Sequence, residues 1–97
     1  MAFDAPIVNR VQLAPGNKRK EDAAPLYMIW GTFENTDAST GGIIKTEGTK
    51  VLFAVCFNKT NANDIKVQPN VANPGEITIT TTADDDGGWL AIIRDRK

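Results

Sequence analysis

The chain has 97 residues, 41% of them hydrophobic and 24% charged, with a formal net charge of −1. That length holds one domain, and a domain so small buries only about 60–65% of the surface its unfolded chain exposes. Eleven basic residues against twelve acidic ones leave no domain-wide positive field for nucleic acid, the absence of His removes the commonest general base and metal ligand, and the lone Cys56 excludes an intrachain disulfide or a multi-thiolate metal site.

In chain order, residues 1–25 differ from the rest and are expected to form an extended N-terminal arm, with residues 26–97 as the β domain. The arm holds the extended-looking run Ile7 to Leu13, then Pro15-Gly16-Asn17 and the charge cluster Lys18-Arg19-Lys20-Glu21-Asp22. Prolines at 6, 15 and 25 forbid a long helix there. Asp4 stands early and no basic stretch precedes an apolar one, so no secretory signal is expected. Beyond Pro25, β-branched and aromatic residues between turn signals predict strands near Leu26–Asn35, Gly42–Thr46, Lys50–Asn58, Ile65–Gln68, Glu76–Thr82 and Trp89–Arg94. The breaks between them are rich in Gly, Pro, Asn and Asp, and no segment carries helical periodicity with both caps. The fold expected is all-β, a small single-domain sandwich or barrel-like body. No apolar run reaches the roughly 20 residues that span a bilayer as a helix, and no membrane partner is expected.

Three of these strands lack alternation. Glu76 to Thr81 alternates as a strand with one wet face should, but Leu26 to Trp30, Val51 to Phe57 and Trp89 to Ile93 are apolar at successive positions. A strand apolar on both faces must have both covered. One side can be met by a second sheet, and the other calls for the arm or another subunit, which predicts self-association. The buried set expected is Trp30, Phe33, Val51, Phe53, Val55, Ile77, Ile79, Trp89 and Ile92.

Candidate chemistry is sparse. Asp84-Asp85-Asp86-Gly87-Gly88 is the one dense carboxylate cluster, but it lacks the alternating ligands and distant Glu of a calcium loop. A hairpin turn with Gly at positive φ accounts for the same letters. Asp37 to Gly42 lacks the phosphate-loop spacing, and Ser39 has no His to activate it. Cys56, between apolar neighbours, reads as a small buried hydrophobe in a reducing compartment. Asn58-Lys59-Thr60 matches a glycosylation acceptor by chance if no secretory route exists. Neither enzymatic activity, a cofactor nor a bound metal is expected. Lys18-Arg19-Lys20 is offset at once by Glu21 and Asp22, with no aromatic residue to stack bases, so it reads first as a solvated charged turn and next as a contact for an acidic protein surface, ahead of nucleic acid.

Two stretches carry a resemblance. Trp30-Gly31-Thr32-Phe33-Glu34-Asn35-Thr36-Asp37 runs into Ser39-Thr40-Gly41-Gly42 and Ile44-Lys45-Thr46, and Thr78 to Ala83 runs into Asp84-Asp85-Asp86-Gly87-Gly88-Trp89-Leu90-Ala91-Ile92. Together they resemble small β-rich virion structural proteins of tailed bacteriophages, over about residues 27–93. The resemblance implies a capsid decoration, or cement, protein: made in the host cytoplasm, carried on the capsid exterior, bound to the major capsid protein, and assembled as a homo-oligomer, typically a trimer. The arm residues Ile7, Val8, Arg10, Val11, Leu13, Lys18, Arg19 and Lys20 are the expected partner contacts, mobile in the free protein and extended against coat protein or a sister subunit in the particle. A tail, neck or fibre-attachment component would share these features. A carbohydrate-binding module could instead stack sugars on Tyr27, Trp30 and Trp89.

Overall fold

A computed structural model describes residues 2–17, 19, 23–62, 64–70 and 72–95, and every regular element in them is a strand. In order these are β1 (Ala2–Asp4), β2 (Ile7–Ala14), β3 (Leu26–Thr36), β4 (Gly41–Lys45), β5 (Lys50–Asn58), β6 (Lys66–Pro69), β7 (Glu76–Thr80) and β8 (Gly87–Arg94). They build two antiparallel sheets: a larger one in the order β1-β3-β8-β5, with β2 also beside β3, and a smaller one in the order β4-β7-β6. The all-β expectation holds, and the six strands beyond Pro25 lie within about two residues of where composition and turn signals put them.

Two layers enclose one core. The larger sheet turns Ile29, Phe33, Trp89, Ala91 and Ile93 inward, and the smaller sheet answers with Ile44, Ile77 and Ile79. Burial along β3 alternates strictly from Ile29 onward, with Ile29, Gly31, Phe33 and Asn35 buried. Odd-numbered residues of β3 therefore face the core and even-numbered ones face away. On β8 the register with β3 gives the same parity: Trp89, Ala91 and Ile93 lie inside, and Leu90, Ile92 and Arg94 point outward. A bulge between Val51 and Phe53 shifts β5, so that Val51, Ala54 and Cys56 oppose the inward residues of β8 while Phe53 and Val55 oppose Ile92 and Leu90.

Three expectations are corrected here. Residues 2–14 do not stand away from the body. β1 and β2 lie one after the other along the same edge of β3, from Ala2↔Thr36 to Ala14↔Leu26, because the alternating segment 7–14 satisfies its backbone on that open edge. Phe3 stacks on Phe33 with ring centroids 6.2 Å apart, and Ile7 packs against the core. Second, Phe53 and Val55 are exposed, and Trp30, Val51 and Ile92 are half-buried, whereas Phe33, Ile77, Ile79 and Trp89 are buried as expected. The β5 bulge directs its large side chains outward and its small ones, Ala54 and Cys56, against the filled interlayer space. Third, Asp84 to Gly88 is not a hairpin turn. It carries the chain from β7 in the smaller sheet to β8 in the larger one, and Asp84, not a glycine, takes the positive φ of 62°. Gly87 and Gly88 serve close approach: a Cβ on Gly87 would lie 1.9 Å from the Phe57 carbonyl oxygen, and one on Gly88 2.4 Å from the Phe57 ring.

Candidate interaction surface

The far side of the larger sheet is apolar across four strands. Register stacks its outward residues in rows: Val11, Met28, Ile92 and Phe53 in one, Asn9, Trp30, Leu90 and Val55 in the next, Thr32, Gly88 and Phe57 in the third. Phe57 is 63% exposed and Val8, at the bulged start of β2, 62%. Between them runs an open groove of about 670 Å³ whose walls include Val8, Trp30, Val55, Phe57 and Leu90. A side chain left in water here forgoes about 25 cal/mol for each Å² of apolar surface that burial would remove. Contiguous apolar faces of this kind mark interaction sites on soluble domains.

Among the described residues, charge on this face appears at its two ends. At one end Asp4 of β1 lies directly opposite Glu34 of β3. At the other, Lys50 of β5 lies directly opposite Arg94 of β8. Arg94 donates from Nη1 to the Ala24 carbonyl at 2.7 Å, which fixes its guanidinium at that end.

The residues expected to meet a partner divide into groups. Val8, Val11 and Leu13 are exposed on β2, which pairs with β3 as its one strand neighbour among the described residues. Ile7 is turned to the core. Arg10 is held: its guanidinium lies 4.0 Å over the Tyr27 ring and donates to the Asp95 carboxylate at 2.6 Å. That bond, ahead of the Tyr27 contact, raises the Arg10 pKa further above its ordinary value. Arg19 is exposed with its backbone N–H donated to Asn17 Oδ1, while Lys18 and Lys20 lie outside the described residues.

The carboxylate cluster is a clasp. Asp84 Oδ1 accepts the Ala38 N–H at 2.9 Å, and Asp86 Oδ1 accepts the Asn35 N–H at 3.1 Å. Asp85, 2% exposed, accepts from Asn58 Nδ2 at 2.8 Å and Asn61 Nδ2 at 2.7 Å. Buried Asn35 completes the network: its Nδ2 donates to Thr81 Oγ1 and to the Asp85 carbonyl, and its Oδ1 accepts the Gly41 N–H. The connections after β3, β5 and β7 are thereby locked together, which uses carboxylate lone pairs that a cation would need. Among the described residues no three His, Cys, Asp or Glu side chains gather as metal ligands. Thr36 to Ser39 closes a tight turn with Asp37 and Ala38 both at positive φ and the Ser39 N–H bonded to the Thr36 carbonyl.

Two further candidates find their places. Cys56 is half-buried against the core, and desolvation pushes its thiol up to about 11, away from a reactive thiolate. The three rings weighed for sugar stacking do not share an exposed surface: Trp89 borders the groove but is buried with Nε1 donated to the Thr32 carbonyl, Tyr27 lies under Arg10, and Trp30 is half-buried in the groove wall. The missing alternation in β3, β5 and β8 pointed to a second apolar face, but which residues line it was not legible, since Phe53 and Val55 were expected inside. Compared with known proteins, the chain matches no family model, no curated protein and no solved structure.

Proposed function

We propose that the chain is a non-enzymatic structural protein of a bacteriophage virion, a capsid decoration protein that binds the outer capsid surface as a homo-oligomer and stabilises it. The observation that supports this reading best is the exposed apolar face of the larger sheet, carried on a body whose connections are clasped by Asp84, Asp85, Asp86 and Asn35. A cementing protein needs a rigid block with one adhesive face and a second point of contact. Here the second contact is β2, an edge strand displaying Val11 and Leu13, to which a strand of the major capsid protein can add through main-chain hydrogen bonds. Linking several copies multiplies such contacts, because each bound edge raises the effective concentration of the next.

The groove walls favour protein over carbohydrate as the occupant. Sugar hydroxyls need several placed polar partners beside the stacking ring, and around Trp30 the walls are Val8, Met28, Val55, Phe57 and Leu90, with Thr32 the one polar side chain among the lining residues. The test is to count copies in virions by quantitative mass spectrometry and to heat particles made with and without the protein. Copies comparable in number to the coat protein, with earlier heat release of the genome when the protein is missing, are expected. A handful of copies per particle would assign the chain to the tail, neck or fibre attachment instead.

A further inference from the structure

We infer that the outward face of the larger sheet pairs with the same face of a second copy, turned end for end, to make a two-fold dimer. The inference is independent of the virion reading and concerns what covers this face in solution. Four strands at about 4.8 Å spacing and eight residues at about 3.3 Å each give roughly 500 Å² of flat face per copy. Two such faces bury roughly 1,000 Å² together, before counting side-chain relief, which reaches the lower bound of a biological interface. Its middle is free of charge, as the core of a homodimer interface is.

The ends identify the partner and its orientation. Asp4 and Glu34 are two carboxylates directly opposed across β1 and β3, and Lys50 and Arg94 are two cations directly opposed across β5 and β8. Like charges directly opposed in a sheet repel, so each end is unfavourable in a lone chain. A second copy rotated end for end sets the acidic end over the basic one at both extremities, and both repulsions turn into attractions. A parallel stacking would put like ends together and double the repulsion. Trp30 lies four residues from Glu34 and four from Leu26, which pairs with Arg94, so the two-fold axis passes through the Trp30–Leu90–Val55 row. The contact is isologous and closes on itself, which yields a dimer in place of the trimer that the family resemblance implies.

Sedimentation equilibrium of the whole chain across about 1–100 µM tests this. The expected species has twice the 10.5 kDa chain mass. Val55→Glu places a charge on the axis row and should weaken association by at least about tenfold while the far-ultraviolet circular dichroism stays unchanged. Glu34→Lys should also weaken it by about tenfold, and adding Lys50→Glu should recover most of the loss, because the exchanged charges again face opposite signs in the partner. This charge pair keeps the test decisive if Val55→Glu fails to fold. A wild-type monomer or trimer overturns the inference, and so does a double variant no better than Glu34→Lys alone.

Discussion

The outward faces of the two sheets are built on opposite rules. On the smaller sheet, strand alternation is kept: Thr78 and Gln68 stand beside Ile43, Lys66 beside Thr80, and Lys45 directly opposite Glu76, so that unlike charges meet within one chain. On the larger sheet, aromatic and aliphatic residues fill the outward rows and like charges meet at both ends. The first face is complete in water. The second leaves apolar rows in water and sets like charges opposite each other. A hydrophobic surface alone could reflect the shortage of polar area on any small protein, but opposed like charges at its two ends are a separate cost that points to a partner.

Breaking the shared core should have the largest effect. Ile77→Ala, in the fully buried layer between the sheets, should cost about 2–5 kcal/mol in chemical denaturation, because the cavity adds to the lost transfer energy. Asp85→Ala should follow at about 2–3 kcal/mol, since it strands the amides of Asn58 and Asn61 in the clasp. By contrast Val55→Thr on the outward face should change the stability of the dissociated chain by less than about 1 kcal/mol and lower its tendency to associate, while Thr78→Lys on the smaller sheet should alter neither.

The thiol gives a measure of how closed the inner side is. With Cys56 pushed up to about 11, alkylation at neutral pH should run roughly a hundredfold slower in the folded chain than in the unfolded one. The linkage has a definite sign. A thiol raised by burial contributes stability that is full below its unfolded value of 9.0 and is lost as the pH climbs toward about 11, so denaturation midpoints should fall over that window. A small gain is expected at the tight turn: Ala38→Gly should stabilise by a few tenths to about 1 kcal/mol, because Ala38 is held at a φ of 62° that glycine reaches without strain.

Much of this was legible in the sequence. The strands beyond Pro25 followed from β-branched runs between turn residues, and the lost alternation in Leu26 to Trp30, Val51 to Phe57 and Trp89 to Ile93 did mark strands with two apolar faces. Which side each residue takes was not legible in β5. Its bulge adds a residue at Leu52 and reverses parity midway, so that the largest side chains, Phe53 and Phe57, face out and Cys56 faces in. The prolines at 6 and 15 read as marks of a loose arm; in the fold they bound β2 on an edge, where a missing N–H does no harm. The candidate contacts separated for a tertiary reason as well. Arg10 has no visible partner in its own segment and finds Asp95, 85 residues away, which only the pairing of β2 on β3 brings near.

On the proposed reading, the outward face of the larger sheet is a working contact surface and that of the smaller sheet is not. Hydroxyl-radical footprinting read by peptide mass spectrometry addresses both faces in one sample. As protein concentration rises, or as the protein is added to particles, Met28, Trp30, Phe53 and Phe57 should become protected while Ile43 stays as reactive as in the dilute chain. Equal reactivity of the two faces at every concentration and on particles would contradict the claim.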